Sequence, residues 1–179
     1  MNKIKLKDKE FEVSIPYENI YRSVKNIAGR INQDFEGKDT PVFLSILNGA
    51  FMFTADLFKE LSINSHLSFV KFASYQGMSS SGDVHELIGL NEDLTGRNVI
   101  ILEDIVDSGL TISKIAEEVR AKNPNELKIA SLLLKPDVYE GTVHLDYVGI
   151  EIPNDFIVGY GLDYDGLGRN FRDIYSVVS

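Results

Sequence analysis

The segment Val99 to Ile112, VIILEDIVDSGLTI, narrows the possible folds more than any other stretch of the chain. It opens as a continuous apolar run, then carries three acids, then makes a turn of small residues into a helical pattern. An unbroken run of Val, Ile and Leu suits a strand covered on both faces, the condition of a parallel sheet with helices above and below it. In such sheets ligands bind in the crevice beyond the carboxyl ends of the strands. The segment therefore predicts Glu103, Asp104 and Asp107 on the floor of a crevice.

The flanking sequence agrees with an α/β architecture. Ile4 and Leu6 alternate with Lys, Asp8-Lys9 suits a turn, and Phe11 and Val13 alternate again, which predicts a hairpin. Pro16 then opens a helix with Ile20, Val24, Ile27 and Ile31 on one face. Further strands are expected at Val42–Leu47, His66–Tyr75, Asn98–Ile105, Lys128–Leu134, Tyr147–Ile150 and Phe156–Val158. Helices are expected at Ala50–Glu60 and Ile112–Lys122. Strands alternating with helices give a central parallel sheet flanked by helices. No repeat or linker divides the 179 residues, so one domain, 1–179, is expected. Gln76 to Glu86, QGMSSSGDVHE, fits neither period and reads as a mobile lid.

The turn after the strand has a chemical purpose. Asp107-Ser108-Gly109-Leu110-Thr111 presents backbone N–H groups at a helix N-terminus, where the helix dipole also favours an anion. Ser108 and Thr111 add hydroxyl donors, and Gly109 allows a close backbone approach. A phosphate suits this cradle. Glu103 and Asp104 beside it suit ribose hydroxyls or water on a magnesium ion. The plainer alternative is a helix cap next to solvated acids.

Composition excludes several function classes. The net charge is −9, whereas a nucleic-acid surface needs a basic stripe. There is no Cys, so thiol nucleophiles, Cys-ligated zinc and disulfides are excluded. No apolar run approaches the roughly 18 residues of a membrane helix. The N-terminus interrupts its apolar residues with charge, unlike a signal peptide. A cytoplasmic location with no membrane and no nucleic-acid partner is expected. His66, His85 and His144 are isolated and have no metal-ligand spacing. No G-x-G-x-x-G follows a strand, which argues against a dinucleotide oxidoreductase.

The pattern of two apolar residues, two acids, two apolar residues, Asp and then small-Gly-x-Thr closely resembles the signature of the type I phosphoribosyltransferases, which bind 5-phosphoribosyl pyrophosphate (PRPP). The resemblance runs along nearly the whole chain and points to the hypoxanthine-guanine branch. It implies that fold, with a small hood built from the N- and C-terminal segments. It implies PRPP binding by Glu103, Asp104, Asp107, Ser108, Gly109, Leu110 and Thr111, with Arg169 and the loop Leu47-Asn48-Gly49 on the pyrophosphate. A cis peptide is implied at Leu47–Asn48, and Asn48 departs from the Lys that many members carry. Arg172 is an alternative to Arg169, but the spacing from Asp163 favours Arg169.

Ser74-Tyr75 resembles the pair at the root of the family's closing loop. In the base site, Lys135 would donate to the purine 6-oxo group, Phe156 would stack on the ring, and Ile157 would offer backbone groups. Asp163 would lie near the base and a second metal. Magnesium is the implied cofactor, with Glu103, Asp104 and Asp163 as candidate ligands. Asp107 is the implied catalytic residue. A homo-oligomer, dimer or tetramer, is implied as well. Two other readings compete: a regulatory PRPP-binding protein without catalysis, and a transferase that prefers xanthine.

Overall fold

The computed structural model describes residues 3–74, 84–88 and 92–178, with 72–74 and 84–88 described by backbone alone. A hairpin of Lys3–Leu6 (β1) and Lys9–Ile15 (β2) opens the chain, with Ile4 opposite Phe11. Pro16 sits at the cap of the helix Tyr17–Phe35 (α1), where its fixed φ suits helix entry and its missing N–H costs nothing. Ile20, Val24, Ile27 and Ile31 are all buried, as their spacing predicts, and Ala28 and Phe35 extend the same face.

The remaining elements are Val42–Ile46 (β3), Phe51–Glu60 (α2), His66–Ser74 (β4), Val84–Ile88 (β5), Asn98–Val106 (β6), Leu110–Arg120 (α3), Glu126–Leu134 (β7), Tyr147–Glu151 (β8), Ile157–Val158 (β9) and Ile174–Val177 (β10). A single 3-10 turn, Pro136–Val138, follows β7. Two sheets result. The larger has the order β5-β4-β3-β6-β7-β8 and is parallel except for β5, which runs antiparallel to β4. The smaller is antiparallel, in the order β1-β2-β10-β9, and forms the hood.

Alternation along the central strands splits the core into two layers. Phe43, Ile100, Leu102, Ala130 and Leu132 face one way, toward α1 and α2. Val42, Leu44, Ile46, Val99, Ile101 and Ile129 face the other way, toward α3. Each fully buried Ile, Leu or Phe contributes about 1.5–3 kcal/mol. With both faces covered, β6 has to be apolar until it reaches its end, and that is where its acids appear. A third cluster, Leu6, Phe11, Val158 and Tyr175, holds the hood together.

Several boundaries differ from the sequence reading. Val84 to Glu86, read as part of an irregular lid, belong to strand β5. That strand is short and lies at the sheet edge, so its sequence need not alternate strictly. Helix α3 starts at Leu110 rather than Ile112, because Gly109 in the left-handed region ends the turn sooner. The strand expected from Phe156 begins at Ile157. Strand β10 was not predicted at all. Its partners β2 and β9 are remote in sequence, and the segment is only four residues long.

Candidate active site

Strand β6 lies in the middle of the large sheet and ends at the crevice. Burial beside a second carboxylate pushes the Glu103 carboxyl well above its ordinary range, and burial also raises Asp104. The two acids interact directly, and burial and mutual repulsion disfavour ionising both. Glu103 Oε2 is shielded from solvent and has no hydrogen-bond partner. An orphaned carboxylate oxygen at a crevice is a position for a donor or cation that is not part of the chain.

The loop after β3 lies against this acid pair. The Leu47–Asn48 peptide is cis, as expected, and Asn48 is exposed. At Gly49 an added Cβ would come within 1.6 Å of Asp104 Oδ2, so no side chain fits there. From the other side the hood loop touches the same residue: a Cβ on Gly161, whose φ is +101°, would meet the Gly49 carbonyl oxygen at 2.1 Å. Backbone therefore packs on backbone between the loop after β3 and the hood.

The turn from β6 into α3 lines a cavity of about 150 Å³ with Glu103, Asp107, Ser108, Gly109 and Thr111 among its walls. Gly109, at φ +82°, sits at the cap position of α3. Leu110 and Thr111 begin the helix, so their N–H groups have no preceding carbonyl within it. Lys135, at the end of β7, is buried and places Nζ 2.8 Å from Asp107 Oδ1.

The hood carries the remaining candidates. Phe156 is 44% exposed and rests edge-on against Tyr164, 5.5 Å between centroids, with Phe11 behind it. One face of the ring is thus available as a platform. Ile157 is buried in β9 and pairs with Ser176. Asp163 and Arg169 form an ion pair at 2.6 Å; Arg169 also donates to the Gly161 carbonyl at 2.7 Å, and Asp163 accepts from the Gly166 N–H at 2.6 Å. Arg172 points elsewhere, over the Tyr17 ring at 4.1 Å and toward Glu18 at 3.4 Å on α1. Of the two arginines, Arg169 is the one beside the crevice loops.

One anchor escaped the sequence reading. Asp56, on α2, accepts from the buried Tyr160 hydroxyl at 2.8 Å and from Tyr17 at 3.3 Å, with Lys59 at 2.9 Å. It ties the hood loop to the helix that follows the Gly49 loop. A buried acid in an otherwise apolar helix face was the available signal. Tyr75 and Gln76 to Asp83 of the lid candidate lie outside the described residues, and Ser74 ends β4 by backbone.

Among the described residues, no three acidic or His side chains converge to form a ready metal cage. Asp163 is already engaged by Arg169 and by the Gly166 N–H. The surplus of hard oxygen donors and the unpaired Glu103 Oε2 nevertheless fit magnesium. That ion keeps several waters and takes one or two carboxylates plus substrate phosphates rather than an all-protein cage.

Comparison with known proteins matches this geometry to a family. Residues 16–165 match the model of the phosphoribosyl transferase domain. The hypoxanthine phosphoribosyltransferase of Escherichia coli (strain K12) is 40% identical over 170 residues, covering 93% of this chain and 95% of the relative. The hypoxanthine-guanine phosphoribosyltransferase of Mycobacterium tuberculosis (strain H37Rv) is 38% identical over 169 residues, covering 90% of this chain and 82% of the relative. The crystal structure of a hypoxanthine-guanine phosphoribosyltransferase from Bacillus anthracis superposes with a TM-score of 0.88 at 37% identity, covering 93% of this chain and 98% of that one. With the domain model matching most of its length, relatives near 40% identity and a solved structure superposing over nearly all of it, the chain belongs to the phosphoribosyltransferases, in their hypoxanthine-guanine branch.

Proposed function

We propose that this enzyme transfers the phosphoribosyl group of PRPP to a 6-oxopurine, hypoxanthine or guanine, giving IMP or GMP and pyrophosphate. The observation that carries the reading is the Lys135–Asp107 pair at 2.8 Å. Asp107 opens the turn suited to phosphate, and Lys135 reaches it from the end of β7.

The residues divide the work. Asp107 to Thr111 hold the 5-phosphate through N–H groups and hydroxyls. Glu103 and Asp104 accept from the ribose hydroxyls. Leu47 to Gly49 and Arg169 face the pyrophosphate. Glu103, Asp104 and Asp163 are the residues that would hold magnesium, which would supply positive charge toward the departing pyrophosphate. Arg169 adds fixed positive charge where negative charge grows in the transition state. Phe156 stacks on the base, and backbone groups at Ile157 meet its edge. The Lys135 ammonium has three donors and no acceptor, so after binding Asp107 it can still donate to a 6-oxo group but cannot accept from a 6-amino group. Asp107 is fixed beside it and exchanges a proton with the imidazole nitrogen of the purine as the glycosidic bond forms. Ser74 and Tyr75 lead into the segment that closes over the site and excludes water, since hydrolysis of PRPP is the competing reaction. The proposal includes a homo-oligomer, for which exposed Phe51, Leu67 and Phe69 offer apolar surface.

The test mixes the protein with PRPP, magnesium and one base at a time, and follows nucleotide formation by ultraviolet absorbance beside a metal-free control. Metal-dependent product from hypoxanthine or guanine, and none from adenine, is expected. Product from xanthine alone would move the preference to that base. No product from any base while PRPP still binds would leave a regulatory PRPP-binding protein instead. Lys135→Gln should narrow the preference for 6-oxo over 6-amino purines, because an amide both donates and accepts. An unchanged preference would remove Lys135 from the base site.

A further inference from the structure

The segment after Lys135 is fastened to the phosphate turn at four points. The Lys135 N–H donates to the Val106 carbonyl at 3.0 Å, and its ammonium pairs with Asp107 at 2.8 Å. The Glu140 N–H donates to the Ser108 carbonyl at 3.0 Å. The fourth point is the Tyr139 ring, wedged between two glycines. A Cβ on Gly109 would meet Tyr139 Cε2 at 2.4 Å, and a Cβ on Gly141 would meet the same ring at 2.6 Å. The Tyr139 hydroxyl donates to the Val143 carbonyl and fixes the ring in this slot.

We infer that Tyr139 is a positioning residue for the phosphate turn: its ring holds Gly109, and with it the N–H groups that open α3, in the geometry that receives the 5-phosphate. Within the turn assigned to the 5-phosphate, the ring packs against Gly109. It lies behind the one residue of the turn that has no side chain of its own to pack. Without the ring, Gly109 is free to leave the left-handed region, and glycine populates both signs of φ readily. The N–H groups then lose their common aim.

This inference rests on the reading of the Asp107 to Thr111 turn as the phosphate site, and the test separates the two. Titration calorimetry measures IMP, which carries the phosphate, and inosine, which lacks it, against the parent protein, Tyr139→Leu and Tyr139→Phe. Tyr139→Leu should weaken IMP by about tenfold, the size of one misaligned hydrogen bond to a charged group. Inosine should stay within about twofold of the parent by the same reasoning, and Tyr139→Phe should restore most of the IMP affinity. Gly141→Ala, which presses on the same ring from the other side, should act in the same direction and serves if the Leu variant fails to fold. Equal losses for both ligands, or a smaller active fraction with unchanged affinities, would reduce Tyr139 to an ordinary packing residue and overturn the inference. A parent protein that binds inosine as well as IMP would overturn the phosphate reading itself, and the role of Tyr139 with it.

Discussion

Two buried acidic sites in this protein are built in opposite ways. Asp56 is surrounded by donors of the chain's own: the Tyr160 hydroxyl, the Tyr17 hydroxyl and the Lys59 ammonium. Glu103 and Asp104 have chiefly each other, and Glu103 Oε2 has no partner. Burying a carboxylate is costly unless it is paired. At Asp56 the fold meets that need internally, and the result is a rigid joint between α2 and the hood. At the end of β6 the need is left open, and a ligand with hydroxyls and a cation can meet it. A closed site stabilises the structure, whereas an open one gives up stability for binding.

Substitutions test this contrast, and the largest effect is expected at the open site. Asp107→Asn keeps the shape but removes the proton acceptor. Its turnover should fall by about 10²–10⁴ while PRPP still binds; nucleotide formation and PRPP binding measured on one preparation decide it, and unchanged turnover would remove Asp107 from the chemistry. Next comes the closed site. Asp56→Ala leaves the buried Tyr160 hydroxyl without its acceptor and should cost about 1–3 kcal/mol in denaturant unfolding. A smaller loss would mean that water or another acceptor replaces Asp56, and the site would not be closed in the sense described.

Glu103→Gln should act in the opposite direction on stability. The folded protein raises the Glu103 pKa above its ordinary 4.5, so the folded state binds the proton more tightly than the unfolded chain does. That preference weakens stability as pH climbs from 4.5 through the raised value, and the penalty then stays constant above it. The neutral amide removes the penalty. Metal-free Glu103→Gln should therefore unfold at higher denaturant than the parent at neutral pH, and the gap should close toward pH 4. A variant less stable than the parent at pH 7 would show that Glu103 is satisfied in the fold. The smallest effect belongs to a third kind of pair. Lys7 and Asp165 are 2.5 Å apart, but their side chains are 44% and 62% exposed. Solvent screens such pairs, so Lys7→Ala should change stability by no more than about 1 kcal/mol.

What was legible in the sequence follows the reach of each interaction. Helix α1 was plain because three buried isoleucines and one valine repeat at helical spacing, and β6 was plain because both of its faces are covered. The turn from β6 into α3 was legible because one short segment holds the strand, the small residues and the helix start. Strand β10 was not, since its four residues gain meaning only beside β2 and β9. The Asp56–Tyr160 bond was hidden for the same reason, with partners 104 residues apart. Arg169 and Arg172 sit three positions apart in a polar run, and separating them needed Gly161 on one side and Tyr17 on the other. Tyr139 gave no chemical hint, because its role depends on glycines in two different segments.

The pairing of β2 with β10 joins residues such as Ser14 and Ile174, which are 160 positions apart. A ribosome adds about 5–20 residues per second, so β2 waits on the order of ten to thirty seconds for β10. The large sheet can assemble during that interval, because its strands all precede Asp155. Asp163 and Arg169 emerge only just ahead of β10. A copy whose synthesis stops before β10 would therefore carry the turn from β6 into α3 under an unfinished roof. Because β2 pairs with β10, the roof closes only after Ile174 to Val177 have been made.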